Sequence, residues 1–318
     1  MTTTTEPRKS RRLDAAVRER LSLSWGRARD QIRAGKISVK GRVELDIALE
    51  VAADEEIAYT PDARRPRLED ELLPPSAILH LDGDIVVVDK PSGLLTVPYE
   101  EGDRPTLDVL LRAVVSRRCR REDAASGRAR TGLHVVHRLD RNTSGLLVFA
   151  RTALARDRLK EQFKAHTAHR RYLALVHGTV SAKTFVSHLV ADRGDGLRGS
   201  LERTPRWMKP KAKGGKTAVT HVEVLERFGA AALISCRLET GRTNQIRIHL
   251  AEAGHPLVGE TMYLRDYAGP TLSAPRLMLH AAELGFVHPG SGEHVSFTTP
   301  VPEEMAAFID ALRSRTGR

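Results

Sequence analysis

The stretch His137-Arg138-Leu139-Asp140-Arg141-Asn142-Thr143-Ser144-Gly145-Leu146-Leu147-Val148-Phe149-Ala150 decides how this chain folds. One carboxylate, Asp140, sits among two arginines and a histidine. Turn-forming polar residues and a glycine follow it, and then a continuous apolar run, which reads as a buried strand. The order predicts that Asp140 lies in a loop at the mouth of a core strand, where a reactive group is held rigidly yet stays reachable. An aspartate between arginines also describes a surface ion-pair loop. The rest of the chain has to separate the two readings.

Working outward, Ile78 to Leu81, Asp82-Gly83-Asp84 and Ile85 to Lys90 read as strand, turn and strand, and Pro91-Ser92-Gly93 breaks the second strand. Leu107, Leu110, Leu111 and Val114 repeat on one face of a helix expected over 106–115. The Arg-rich segment 117–130 reads as a flexible loop able to grip phosphate. Downstream, 153–165 suits a helix and Tyr172 to Val176 a buried strand, which puts an aromatic ring at a loop-to-core junction. Residues 192–215, rich in Gly, Lys and Arg, read as a second mobile loop. Strands are expected again at 217–225, 232–238 and 295–297, before a C-terminal helix over 303–312. In Gln245 to Leu250, Ile246, Ile248 and Leu250 alternate with Gln245, Arg247 and His249, as on a helix end or strand whose polar side faces a cleft. Strands and helices do not alternate regularly, so the class is α+β, with a mixed, largely antiparallel sheet. The chain has no internal repeat, P-loop or dinucleotide glycine motif.

The N-terminal fifth reads differently. Residues 1–11 have nothing to bury and read as a disordered basic arm. Leu13, Ala16, Val17 and Leu21 recur at helical spacing. Ser24 is a plausible cap for a second helix that carries Ala28 and Ile32 inward and stops at Gly35. Ile37-Ser38-Val39, the Lys40-Gly41 turn and Val43 make a short hairpin. A small helix-helix-hairpin domain is thus expected over 12–60, with Arg27, Arg29, Arg33, Lys36, Lys40 and Arg42 on its solvent side. Four prolines among charged residues mark a linker over 61–75, and a larger α+β domain is expected over 76–318.

Composition narrows the class of partner. The 318 residues carry a formal charge of +11, spread along the chain, and only 4% are aromatic. This balance fits a polyanion, with phosphate neutralisation supplying much of the affinity. Two isolated cysteines give neither a disulfide framework nor zinc spacing and fit a reducing cytoplasm. The 13 histidines lack metal-ligand spacing, so no metal is expected. No apolar run reaches membrane-span length and no signal h-region precedes the first helix, so the expectation is a cytoplasmic protein without membrane contact.

Several motifs in a fixed order carry a resemblance. His137-Arg138-Leu139-Asp140 with Thr143 to Leu147, Asp89-Lys90-Pro91-Ser92-Gly93-Leu94, Tyr172-Leu173-Ala174, Thr240-Gly241-Arg242 with Gln245-Ile246-Arg247, and Leu279-His280-Ala281 are similar to those of the RluA-type pseudouridine synthases. Arg12-Leu13-Asp14, Ser24 and the run Arg33 to Gly41 resemble the small RNA-binding domain named after ribosomal protein S-four, with Lys40-Gly41 where that family usually has Asn-Gly. A protein-kinase likeness in Val87 to Lys90 and His137 to Asp140 fails, because the order of Arg and Asp is wrong and no glycine-rich loop exists.

The resemblance implies that Asp140 is the catalytic aspartate, Tyr172 the stacking tyrosine and Arg247 the basic partner of the carboxylate. It implies substrate contacts for Arg138, Arg242, Gln245, Leu279 and Lys90. An ion pair from Arg247 is expected to lower the pKa of Asp140. Asp140 could attack the sugar, add to the uracil ring or abstract a sugar proton. The isomerisation of uridine involves no redox change, so no cofactor is expected. The implied substrate is structured RNA, ribosomal before transfer RNA, and a monomer is expected. Two positions depart from the pattern: Asn244 replaces a usual His and Glu260 a usual Asp. The alternative reading is a non-catalytic RNA-binding or ribosome-assembly factor that retains the fold.

Overall fold

The computed structural model describes residues 10–44, 46–52, 54–63, 72–99, 105–126, 132–204 and 214–316. The chain divides into two compact units, Met1–Glu71 and Leu72–Arg318.

The first unit runs β1 (Ser10–Arg12), α1 (Leu13–Arg20), α2 (Trp25–Arg33), β2 (Ile37–Val39), β3 (Arg42–Val43), β4 (Glu50–Ala52) and β5 (Ile57–Tyr59). Ser24 caps α2 by accepting the Arg27 N–H, and Gly35 leaves the helix at φ +72°. Lys40 and Gly41 both take positive φ, the conformation a two-residue hairpin turn requires between β2 and β3. Leu13, Val17, Ala28, Ile32, Ile37 and Val51 close the core. Two features differ from the sequence expectation. Ser10 and Arg11, placed in the basic arm, belong to β1, because their backbone groups pair with β4; Met1 to Lys9 lie outside the described residues. Strand β5 then adds to the hairpin through β2.

The second unit runs β6 (Ile78–Leu81), β7 (Ile85–Lys90), α3 (Leu107–Ser126), β8 (His134–Val135), β9 (Ser144–Ala150), α4 (Ala153–Lys164), β10 (His169–His177), β11 (Lys183–Val190) and β12 (Gly199–Ser200). It continues with β13 (Lys216–Arg227), β14 (Ala231–Leu238), α5 (Gln245–Glu252), β15 (Leu279–Val287), β16 (His294–Thr298) and α6 (Glu303–Thr316). Its strands form one sheet in the order β12-β11-β13-β14-β10-β15-β9-β7-β6, with β16 on β15 and β8 on β9.

Strand β9 is buried along its whole length, and the reason is visible on its two faces. Leu147 and Phe149 pack with Leu107, Leu110 and Leu111 of α3. Leu146, Val148 and Ala150 pack with Ala155 and Leu159 of α4. A strand covered by a helix on each side has no solvent face and therefore no polar alternation. Strands β9 and β15 meet in parallel over only two residue pairs, His280 with Ser144 and Ala281 with Gly145. This approach needs glycine: Gly145 has φ +112°, and a Cβ there would lie 2.3 Å from the Ala281 carbonyl oxygen.

Three expected loops or linkers are shorter than the sequence suggests. Helix α3 continues through the Arg-rich segment to Ser126, since Arg, Glu and Ala are good helix formers and no glycine intervenes before Gly127. Residues 127–131 lie outside the described set. Within 192–215, Gly199–Ser200 pairs with β11 and Leu201–Arg203 forms a 3-10 turn, while 205–213 lie outside it. At the end of the expected linker, Leu73 is fully buried in the core of the second unit.

Candidate active site

Asp140 lies within the segment that joins β8 to β9, and the Asp89 to Thr96 stretch clamps that segment. Lys90 Nζ and Gly93 N–H both donate to the Arg141 carbonyl, at 3.0 and 2.9 Å. Ser92 Oγ donates to the Asn142 carbonyl at 2.8 Å. Thr96 Oγ1 donates to the Leu139 carbonyl at 2.8 Å and accepts the Leu139 N–H at 3.2 Å. Both backbone neighbours of Asp140 are therefore fixed, which holds its carboxylate in place.

Lys90, expected at the substrate, is fully buried instead. Its remaining donors go to the carbonyls of Pro91 and Leu94, at 2.9 and 2.8 Å, so all three N–H groups are used within the protein. Burial lowers its pKa to about 7, against the charges of Asp140 and Asp89. Its position is that of a buttress under the Asp140 loop.

Arg247 comes from α5, beneath Asn244, which starts the helix in the left-handed conformation at φ +57°. Its guanidinium makes a two-pronged pair with Glu260, at 2.8 and 2.7 Å, and donates to Asn244 Oδ1 at 3.0 Å. The expected ion pair with Asp140 is thus replaced by one with Glu260, which is itself anchored by the N–H groups of Thr261 and Met262. The pKa consequence also reverses. Burial pushes the Asp140 carboxyl above its ordinary value; the charges of Arg247, Arg138 and Lys90 and the Asn244 N–H oppose this without overcoming it.

Over Asp140 opens a cavity of about 460 Å³. Tyr172 and Leu279 supply apolar wall, and each is largely buried. A bulge in the pairing of β10 with β15 falls opposite Arg171/Tyr172, where Ala282 of β15 is skipped and β15 bends beside the ring. Arg138 is exposed at the rim, its guanidinium 4.3 Å from the centre of the Tyr99 ring. Arg242 also lines the cavity, with Nε donating to the Thr217 carbonyl at 2.9 Å. Gln245 lines it too, yet its amide is spent. Oε1 accepts from Thr240 Oγ1 and the Arg242 N–H, while Nε2 donates to the Val219 carbonyl and Thr220 Oγ1. It pins the 240–244 turn to β13 and is not free to hold a ligand.

Sequence reasoning passed over Arg170, His137 as a ring, and Phe163, all at the cavity. Arg170 had a signal: it stands two residues before Tyr172, on the same face of a strand. His137 stacks on Phe163 at 4.3 Å and accepts the Val148 N–H at 3.2 Å. Burial lowers its pKa to about 3, so the ring is neutral. Among the described residues that line the cavity, Asp140 is the only carboxylate, facing five Arg and Lys side chains.

Among the described residues, one trio has metal-ligand types close together: His80, Asp82 and His288. Both imidazole Nε2 atoms meet Asp82 Oδ2, at 2.6 and 2.9 Å. His288 Nδ1 accepts the N–H groups of Gly290 and Ser291. Its ring proton is therefore on Nε2, where a metal would have to bind, and the trio is a hydrogen-bonded clasp.

The family model described as RNA pseudouridylate synthase matches residues 84–252. An uncharacterized RNA pseudouridine synthase of Bacillus subtilis strain 168 is 35% identical, over 98% of this chain and 97% of its own. Ribosomal large subunit pseudouridine synthase D of Zymomonas mobilis is 34% identical, over 95% and 93%. The solved structure of human RNA pseudouridylate synthase domain containing 4 shares the fold, with a TM-score of 0.59 at 22% identity, over 77% of this chain and 95% of that one. With the ordered motifs gathered round one cavity and a match over nearly the full length, the chain belongs to the RluA-type RNA pseudouridine synthases.

Proposed function

We propose that this protein converts uridine to pseudouridine in ribosomal RNA, with Asp140 as the catalytic carboxylate. The observation that carries the reading is the cavity in which Asp140, the lone acid among the described lining residues, faces five cationic side chains beside the ring of Tyr172. The chemistry breaks the bond between N1 and C1′, turns the uracil and joins C5 to C1′. The C5 hydrogen leaves and N1 gains a proton, so the reaction needs neither oxidant nor external group. The target base has to leave its stack, which costs a few kcal/mol. Stacking on Tyr172 and backbone contacts from the basic rim offset that cost. Cleavage builds positive charge on the sugar, the charge that an ionised Asp140 meets. Arg247 acts on Asp140 through space and through the Asn244 turn it holds, and Arg138 fills the room the flipped base vacates.

The relatives named for the ribosomal large subunit support ribosomal over transfer RNA. The first unit acts as an RNA-docking domain resembling the S-four type: Arg27, Arg33 and Lys40 are exposed on it, and the chain carries +11 overall. We assign the boundaries of this module to 10–60 and read the protein as a cytoplasmic monomer; among the described residues no helix is long and apolar enough to cross a membrane. Tritium release from RNA labelled at uridine C5 tests the reaction: release by the wild type and none by Asp140→Asn is expected, and equal release by both overturns the assignment. Mapping pseudouridine in total RNA, with and without the protein, tests the substrate; a site confined to transfer RNA overturns it.

A further inference from the structure

We propose that Arg170 is the binding site for one phosphate of the RNA backbone, next to the nucleotide held over Asp140. The proposal rests on the reading of the cavity as an RNA site. Arg170 is only 7% exposed, and among the described residues no carboxylate pairs with it. Among the described residues its one hydrogen bond runs from Nη2 to the Glu239 carbonyl, at 3.0 Å, and its Nε is sealed from solvent with no acceptor among them. The neighbouring arginines contrast with it: Arg171 pairs with Glu283 and Arg247 with Glu260. A buried guanidinium left with most of its donors unused is costly, and an arriving anion reverses that cost through charge-assisted hydrogen bonds.

The surroundings fit an anion. Phe163 lies under the guanidinium at 5.5 Å and under His137 at 4.3 Å. Because His137 Nε2 accepts the Val148 N–H, its ring proton is on Nδ1, which gives this wall a second, neutral donor. Gly241 leaves the room: a Cβ there would come within 2.7 Å of Arg170 Nη1. Arg170 and Tyr172 project from the same face of β10, so a base stacked on the tyrosine brings its own backbone toward the guanidinium. Free phosphate shares this chemistry, and the test separates the two sources.

RNA affinity is measured against salt for wild type, Arg170→Gln and Arg170→Lys, with thermal unfolding of each. Losing one phosphate contact lowers the slope of log K against log salt by about 0.7 for single strands. Arg170→Gln is expected to show that drop with roughly tenfold weaker binding, and Arg170→Lys is expected to restore the slope but only part of the affinity. An unchanged slope in Arg170→Gln overturns the proposal, whatever its stability. Should Arg170→Gln not fold, RNAs with single neutral methylphosphonate linkages are compared on wild type and Arg170→Lys. One linkage is expected to weaken the wild type more than the variant, and equal losses at every linkage overturn the assignment. Inorganic phosphate titrated alone is expected to leave the wild-type unfolding temperature where chloride of equal ionic strength leaves it. Stabilisation that requires Arg170 would give the site to a free anion instead. Binding needs no isomerisation, so an RNA bound with the full slope but never modified would sink the proposed reaction and leave Arg170 standing.

Discussion

Two aspartates, one in each unit, are treated in opposite ways. Asp14 is 1% exposed and takes hydrogen bonds from Arg29 at 2.9 Å and Arg12 at 3.2 Å. Burial would push its carboxyl up, but the bond from Arg29 and the charges of both arginines hold it below the ordinary range. Asp140 is half-buried, and Arg247, first among the charges that oppose its desolvation, is given to Glu260, so burial wins. The first arrangement satisfies a charge and serves stability. The second leaves a carboxylate poised above its ordinary value at the floor of a cavity, which is a setting for chemistry.

The largest expected break in this contrast is Asp140→Asn, which is expected to lower the rate of tritium release at least about 1000-fold, or about 4 kcal/mol of barrier. Next comes Glu260→Ala. It strands the Arg247 guanidinium in a buried site and is expected to cost roughly 3 kcal/mol in urea unfolding and to slow turnover with it. Unaltered unfolding would show that the pair is not what holds Arg247. Asp14→Ala is expected to cost about 2 kcal/mol, the scale of a hydrogen bond to a charged group, read as faster hydrogen exchange in α1 and α2 while turnover per bound RNA is kept.

The pH dependences are expected to diverge. The folded pKa of Asp14 is depressed, so its contribution to stability is present above the unfolded aspartate value and lost as pH falls through the lower folded one. For Asp140 the folded pKa is raised, so the cost of its charge appears as pH climbs from the unfolded value to the folded one. Activity that needs the carboxylate then falls about tenfold per pH unit below that raised pKa, and a rate that is flat down to the ordinary aspartate range would break the assignment. The smallest effect follows from the same sign: Asp140→Asn is expected to stabilise the second unit by about 1 kcal/mol, a few degrees in unfolding temperature.

Much of this was legible in the residues. The apolar run from Leu146 to Ala150 announced a strand covered on both faces, Ser24 and Gly35 bounded α2, and Lys40-Gly41 marked the hairpin turn, because each signal is local and acts through backbone geometry. Strands β11 and β15 were missed. Lys183 to Val190 mixes polar residues through a strand buried only at Ser187, Leu189 and Val190, and Leu279 to Val287 is interrupted by His280, Glu283 and Gly285, which only its three partner strands make intelligible. The arginine-rich end of α3 misled for a simpler reason: charge was taken for flexibility where helix propensity governs.

The sequence by itself determined the α+β class, the order of the motifs and the family they resemble, because periodicity, turn chemistry and residue type are written along the chain. Only the tertiary structure decided how the polar groups are shared. Lys90 and Gln245 carry motif positions but spend every donor inside the protein, Arg247 turns to Glu260, and Arg170, adjacent to a motif, keeps most of its donors free of partners among the described residues. Which partner a buried charge takes depends on distances and desolvation between segments as far as 69 residues apart, and no spacing along the chain encodes those.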